Sequence, residues 1–166
     1  MKKSGNISAE NLIEFSKQHI FYEVWMLYRV VDMLANKKYK LSKDDMENQV
    51  LFNSLLESMI VHSRIILDFL YCKRIKPDDA IASDYFSKPS EWESLLPKKT
   101  PAIRAIINRS NKEMAHLSYL RLTVKPEERS WEVVKVKNDI KNIIDLFLEK
   151  ADVKLLHSDV YALKGM

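Results

Sequence analysis

AIRAIINRSNKEMAHLSYLRL, residues 102–122 of a 166-residue chain, decides the fold. Ile103, Ile107, Ser110, Met114 and Leu117 recur at steps of three and four, and Ile106 and Leu120 widen the stripe. That is the period of a helix packed on one side. At about 100° per residue, Arg109 and His116 sit only ~20° apart around the axis and two turns apart along it. Both fall roughly 120° from the centre of the stripe, at the edge of the face that is buried. The spacing predicts a helix over 102–121 with a cation and an imidazole stacked on its semi-exposed flank.

Working outward, helical spacing also runs from residue 8 to 35, through Leu12, Phe15, Phe21, Val24, Trp25, Tyr28, Val31 and Leu34. Ser8 suits its N-cap, and Glu10 in the first turn suits the helix dipole. A turn at 36–41, NKKYKL, leads to a second helix over 42–72, with Ser42 as its cap. Its stripe is Met46, Val50, Leu51, Leu55, Met59, Ile66, Phe69 and Leu70. Residues 73–101 hold Pro77, Pro89, Pro97 and Pro101, which forbid a continuous helix. The same segment carries Ile81, Tyr85, Phe86, Trp92, Leu95 and Leu96, too apolar for a disordered linker. It reads as an ordered crossover with one or two short helical turns. Thr100 and Pro101 form the cap and first position of the 102–121 helix. A last helix is expected over 130–150, with Val133, Val136, Ile140, Ile143, Ile144, Phe147 and Leu148 inward. The expectation is one all-α domain over 1–166, a four-to-five-helix bundle with a proline-rich crossover between its second and third long helices.

Composition narrows the chemistry. The only glycines are Gly5 and Gly165, so neither a P-loop nor GxGxxG can form, since both need glycine where phosphate approaches the backbone. Cys72 is the single cysteine and there is no CxxC, which predicts a reducing compartment. Two lysines near the N-terminus lack the apolar run of a signal peptide, and no window reads as a membrane span. A cytoplasmic protein without membrane contact is expected. The net charge of +4 is compatible with a nucleic-acid partner. Clusters at Lys37, Lys38, Lys40 and at Lys98, Lys99, Arg104 also read as solvated helix ends and linker.

Arg109-Ser-Asn-Lys-Glu-Met-Ala-His116 resembles the signature of the HEPN superfamily, an arginine followed after a short gap by a histidine on the same helix of a helical bundle. The gap here is six residues, at the long end of that family's range. Many members carry Asn, Asp or His directly after the arginine; here the residue is Ser110, with Asn111 next. INRSNKEMAHLSYLR, residues 107–121, also resembles a group of bacterial helical proteins with no assigned activity. The HEPN resemblance implies a homodimer that binds or cleaves RNA without metal or other cofactor. His116 would be the acid or base at the ribose 2′-hydroxyl, and Arg109 the phosphate clamp. Asn111 and Glu113 would support them, and Lys112, Tyr119 and Arg121 would contact RNA. The resemblance also implies a toxin or phage-defence setting, with a protein partner such as an antitoxin.

The residues allow plainer readings. Glu113 lies four residues from Arg109 and three from His116, so this flank also reads as a surface ion-pair cluster worth ~0.3–0.5 kcal/mol per pair. The alternative function is a non-catalytic helical interaction module or dimeric scaffold. On the second helix, Arg64 and Asp68 are four apart and suited to pairing, or to orienting His116; His62 faces elsewhere. Glu113-x-x-His116 matches one element of a diiron bundle, but no second ExxH exists, so no metal site is expected. Cys72 and the aromatic series Phe15, Phe21, Trp25 and Tyr28 read as packing or dimer interface.

Overall fold

Ser8 opens the first helix: its backbone is extended, and its hydroxyl accepts from the Asn11 amide at 3.2 Å. In a computed structural model of the chain, the described residues are 7–110, 119, 122 and 130–166. Among them there is no strand, and the chain is all-α. Helix α1 (Ala9–Phe15) passes through a π-helical turn (Ser16–Ile20) into α2 (Phe21–Ala35). The π turn has an identifiable cause. Ser16 is fully buried; its hydroxyl donates to the Ile13 carbonyl at 2.7 Å and accepts from the His157 amide at 2.9 Å. A wider turn accommodates this second bond.

Helix α2 stops without glycine. Lys37 adopts a left-handed backbone (φ 54°). The Lys38 amide donates to Met33 O at 2.9 Å and the Lys37 amide to Leu34 O at 3.2 Å, the paired bonds of a Schellman stop. Helix α3 (Asp45–Tyr71) then begins on Asp44, not on Ser42 as expected. The Asp44 carboxylate accepts from the amides of Met46 at 2.7 Å and Glu47 at 3.4 Å, while Ser42 Oγ accepts from the Asp44 amide. Ser42 is held in the turn by Asn48, whose side chain bonds Ser42 N and O and Leu41 N.

The predicted stripe of α3 needs a second correction. Met46 is 80% exposed, Val50 64%, and Leu51 also lies at the surface. The buried positions are Met59, Ile60, His62, Ser63, Ile66, Leu67 and Leu70. Contrary to the sequence expectation, α3 is also long and apolar enough, by length and composition alone, to cross a membrane. The core helix of a soluble protein meets the same criterion.

Contacts divide the chain into two compact units, each assembled from separate stretches. The first comprises Met1–Trp25, Ile65–Lys98 and Asn142–Met166. Its centre is Phe147, on α6 (Val133–Lys150). The Phe147 ring lies 5.3 Å from Phe69 of α3 and 5.6 Å from Tyr85, which ends a 3₁₀ turn (Ala82–Tyr85). It is 6.2 Å from Phe86 and 5.8 Å from Trp92 of α4 (Pro89–Leu95). The pairs with Phe69, Tyr85 and Trp92 are edge-to-face, the geometry that ring quadrupoles favour.

The polar atoms of this cluster are satisfied. Trp92 Nε1 donates to Leu70 O at 2.8 Å, one of the carbonyls that the end of α3 leaves open, and Tyr85 OH donates to Leu12 O at 3.0 Å. Burial, and secondarily Asp84, raises the Tyr85 hydroxyl well above the usual phenol range. Between α3 and the 3₁₀ turn, Arg74 pairs with Asp84, and the Asp79 carboxylate accepts from the Ile75 and Lys76 amides at 3.0 and 2.7 Å.

The second unit comprises Met26–Arg64 and Lys99–Lys141. Leu27, Val30, Val31, Leu34, Met59, Ile60, Ile103, Ile106, Val136 and Ile140 are buried in it. Helix α5 (Pro101–Arg109) starts on Thr100, whose hydroxyl accepts from Ile103 N at 3.2 Å and donates to Asp139 on α6 at 2.6 Å.

Two stability effects follow. Lys37→Gly removes the left-handed penalty at the end of α2 and should raise unfolding stability by about 0.5–1 kcal/mol, read as a higher urea midpoint at unchanged slope. Tyr85→Phe keeps the ring but deletes the bond to Leu12 O, and should lower stability by about 1 kcal/mol in the same titration.

Candidate functional site

The site is built on the last turn of α5. Ile103 and Ile106 have no exposed surface, so the helix is seated before any polar group is placed. Arg109, its last residue, is half-buried. Its Cζ lies 3.6 Å from the centroid of the Trp131 ring, and its Nη1 donates to the Ser130 carbonyl at 3.1 Å. Ser130, Trp131 and Glu132 precede α6 and are not helical, which leaves the Ser130 carbonyl outside any helix ladder. A delocalised guanidinium stacks on an aromatic face while keeping its donors in the ring-parallel plane. The Trp131 ring and the Ser130 carbonyl thus both restrain the orientation of Arg109.

Arg64 braces the same turn. From α3 it donates Nη1 to the Ile107 carbonyl at 3.1 Å. The Ile107 carbonyl also accepts from the Ser110 hydroxyl at 3.2 Å. Ser110, which stands directly after the motif arginine, is thus buried and bonded back to its own helix. Asp68 accepts from the Cys72 thiol at 3.4 Å, a contact within the first unit. Tyr119 is 91% exposed. His116, Asn111, Lys112, Glu113 and Arg121 lie outside the described residues, and so does any contact of Arg64 or Asp68 with His116. His62 is buried on α3, beside the buried Ser63.

Trp131 is the residue that sequence reasoning missed. The signal was an isolated tryptophan in a charged run, KPEERSWEVVKVK over 125–137. A second unanticipated feature lies on α6, where Lys137 and Lys141, one turn apart, place their ammonium groups 4.9 and 5.5 Å from the Tyr28 ring centroid. Among the described residues, no group of three or more His, Cys, Asp or Glu side chains comes together to hold a metal ion.

Charge is unevenly shared. The stretches forming the second unit contain 16 lysines and arginines against 10 aspartates and glutamates, a net +6. Those forming the first contain 11 against 13, a net −2. The surplus that makes the chain basic thus belongs to the unit that carries Arg109. A field of this kind attracts polyanions, and its effect falls with salt.

Arg64→Met keeps the aliphatic stem but removes the donor to Ile107 O, and should cost about 1–2 kcal/mol in denaturant unfolding. Comparison with family models, with curated proteins and with solved structures finds no match to this chain.

Proposed function

We propose that this chain is a HEPN-like RNA-binding protein, and that it cleaves RNA without metal when two copies pair their Arg109–His116 flanks. The observation that carries the reading is the fixed guanidinium of Arg109, stacked on Trp131 in the unit with net charge +6. In this reading the helices form a four-to-five-helix bundle with residues 73–101 as its ordered crossover. Arg109 grips the scissile phosphate and stabilises charge on its oxygens. His116 takes the proton of the 2′-hydroxyl, and the partner's copy of the histidine protonates the leaving oxygen. Asn111 and Glu113 support the pair, and Lys112, Tyr119 and Arg121 follow the RNA strand. The setting is cytoplasmic, with a protein antitoxin as the natural regulator of such an activity.

A second reading rests on a different observation. Met46, Val50, Leu51 and Val61 leave apolar surface on α3, which suits a non-catalytic interaction module or dimeric scaffold.

The deciding measurement is cleavage of mixed single-stranded RNA in EDTA by wild type, His116→Ala and Arg109→Ala. Each substitution should lower the rate by about 10²-fold or more at unchanged helical content and oligomer size. Absence of cleavage by wild type, or equal rates in all three proteins, would reject the catalytic reading and favour the scaffold.

A further inference from the structure

The turn at 36–43, between α2 and α3, lies wholly within the second unit. Lys37, Lys38, Lys40 and Lys43 are exposed on it, and Lys38 pairs with Asp32 at 3.5 Å. Leu41 is 76% exposed, and Met46, in the first turn of α3, is exposed as well. The backbone beneath these side chains is already bonded. The Lys37 amide donates to Leu34 O, that of Lys38 to Met33 O and that of Lys40 to Lys37 O. The Leu41 and Ser42 amides donate to Asn48 Oδ1 at 3.0 and 3.1 Å, and the Asp44 amide to Ser42 Oγ. The Tyr39 ring sits edge-to-face on Phe52 of α3 at 5.2 Å. The turn therefore has a set shape, with Leu41 on its outside.

Backbone bonded in this way can leave water at little cost. A loop that grips nucleic acid does the opposite and turns its amides toward phosphates. Large apolar side chains beside lysines match the boundary of a bilayer, where apolar groups enter the acyl region and ammonium groups stay among anionic headgroups. We propose that this turn docks the protein on an anionic phospholipid surface: Leu41 and Met46 enter the headgroup–acyl boundary, and Lys37, Lys40 and Lys43 meet the lipid's negative charges. Asp45 and Glu47 stand about 100° to either side of Met46 around α3. The Asp44 carboxylate is taken up by the helix cap, so the balance in the turn stays positive. The contact is peripheral, and it adds a membrane surface to partners that the sequence alone did not suggest. Lysines by themselves give an adsorption that salt screens; Leu41 supplies the part that salt leaves intact.

The test is sedimentation of the full chain with vesicles of phosphatidylcholine alone, and of phosphatidylcholine and phosphatidylserine in equal amounts, over a salt series. Wild type should bind the mixed vesicles and not the zwitterionic ones. Leu41→Ala should weaken that binding about 10-fold at every salt concentration. The double variant Lys40→Gln, Lys43→Gln should weaken it about 10-fold at low salt and little at high salt. All three side chains are exposed, so the urea midpoints should match wild type. Leu41→Trp should add fluorescence quenched by lipid brominated on its acyl chains. No binding to mixed vesicles overturns the proposal, as does binding that neither variant weakens. Single-stranded RNA affinity lost in the lysine variant, with no vesicle binding by wild type, overturns it in favour of a nucleic-acid contact. Self-association in solution that Met46→Ala abolishes, again without vesicle binding, overturns it in favour of a second copy.

Discussion

Phe147 is the point on which three separate stretches of the first unit depend. Its ring meets Phe69, Tyr85, Phe86 and Trp92, and through Tyr85 OH the cluster reaches the Leu12 carbonyl. Three of these five rings, Tyr85, Phe86 and Trp92, come from the stretch between α3 and α5, the part of the chain with the most prolines. Proline there prevents a long helix, so short elements must be held by side chains. Large rings do this efficiently, because each buries 150–250 Å² or so and adds a preferred angle of approach. The tryptophan and tyrosine are tolerated in the cluster because each hands its polar atom to a backbone carbonyl.

A comparable economy governs α5. Two arginines act on its final turn with opposite effects. Arg64 bonds the Ile107 carbonyl from α3 and ties this turn to that helix. Arg109 leaves the helix and is held by groups from beyond it. Fixing a long cationic side chain costs up to about 2 kcal/mol of rotamer entropy. Where folding has already met that cost, a ligand does not meet it again, which is the general advantage of preorganisation.

The all-helical class was legible in the sequence because it rests on local physics. Helical spacing, the absence of interior glycine, the Ser8 cap and the Thr100-Pro101 start all act within a few residues, and both caps make their bonds. Less local features were not legible. The π turn depends on Ser16 meeting the His157 amide, which no window around Ser16 reveals. Asp44 displaced Ser42 as a cap because Asn48 holds Ser42 in the preceding turn. Met46 and Val50 fit the apolar spacing of α3 yet lie at the surface, since spacing cannot show where a helix runs out of neighbours. For the candidate site, Arg109 at the edge of a helix's buried face was readable from the stripe. Its partners were not: a stack on Trp131 is a contact between residues far apart in sequence, in a segment whose apolar pattern points elsewhere.

The bond between Ser16 and His157 spans 141 residues. During synthesis the stretch holding Ser16 is made first, and its acceptor role stays unfilled until residue 157 has been added. A single buried hydroxyl thus links the geometry of the first helix to the arrival of the last segment. Loop closure over such a separation is among the slower events open to a helical chain, whose contacts are otherwise mostly local. The bond that accompanies the π turn can form only once the stretch around residue 157 has docked.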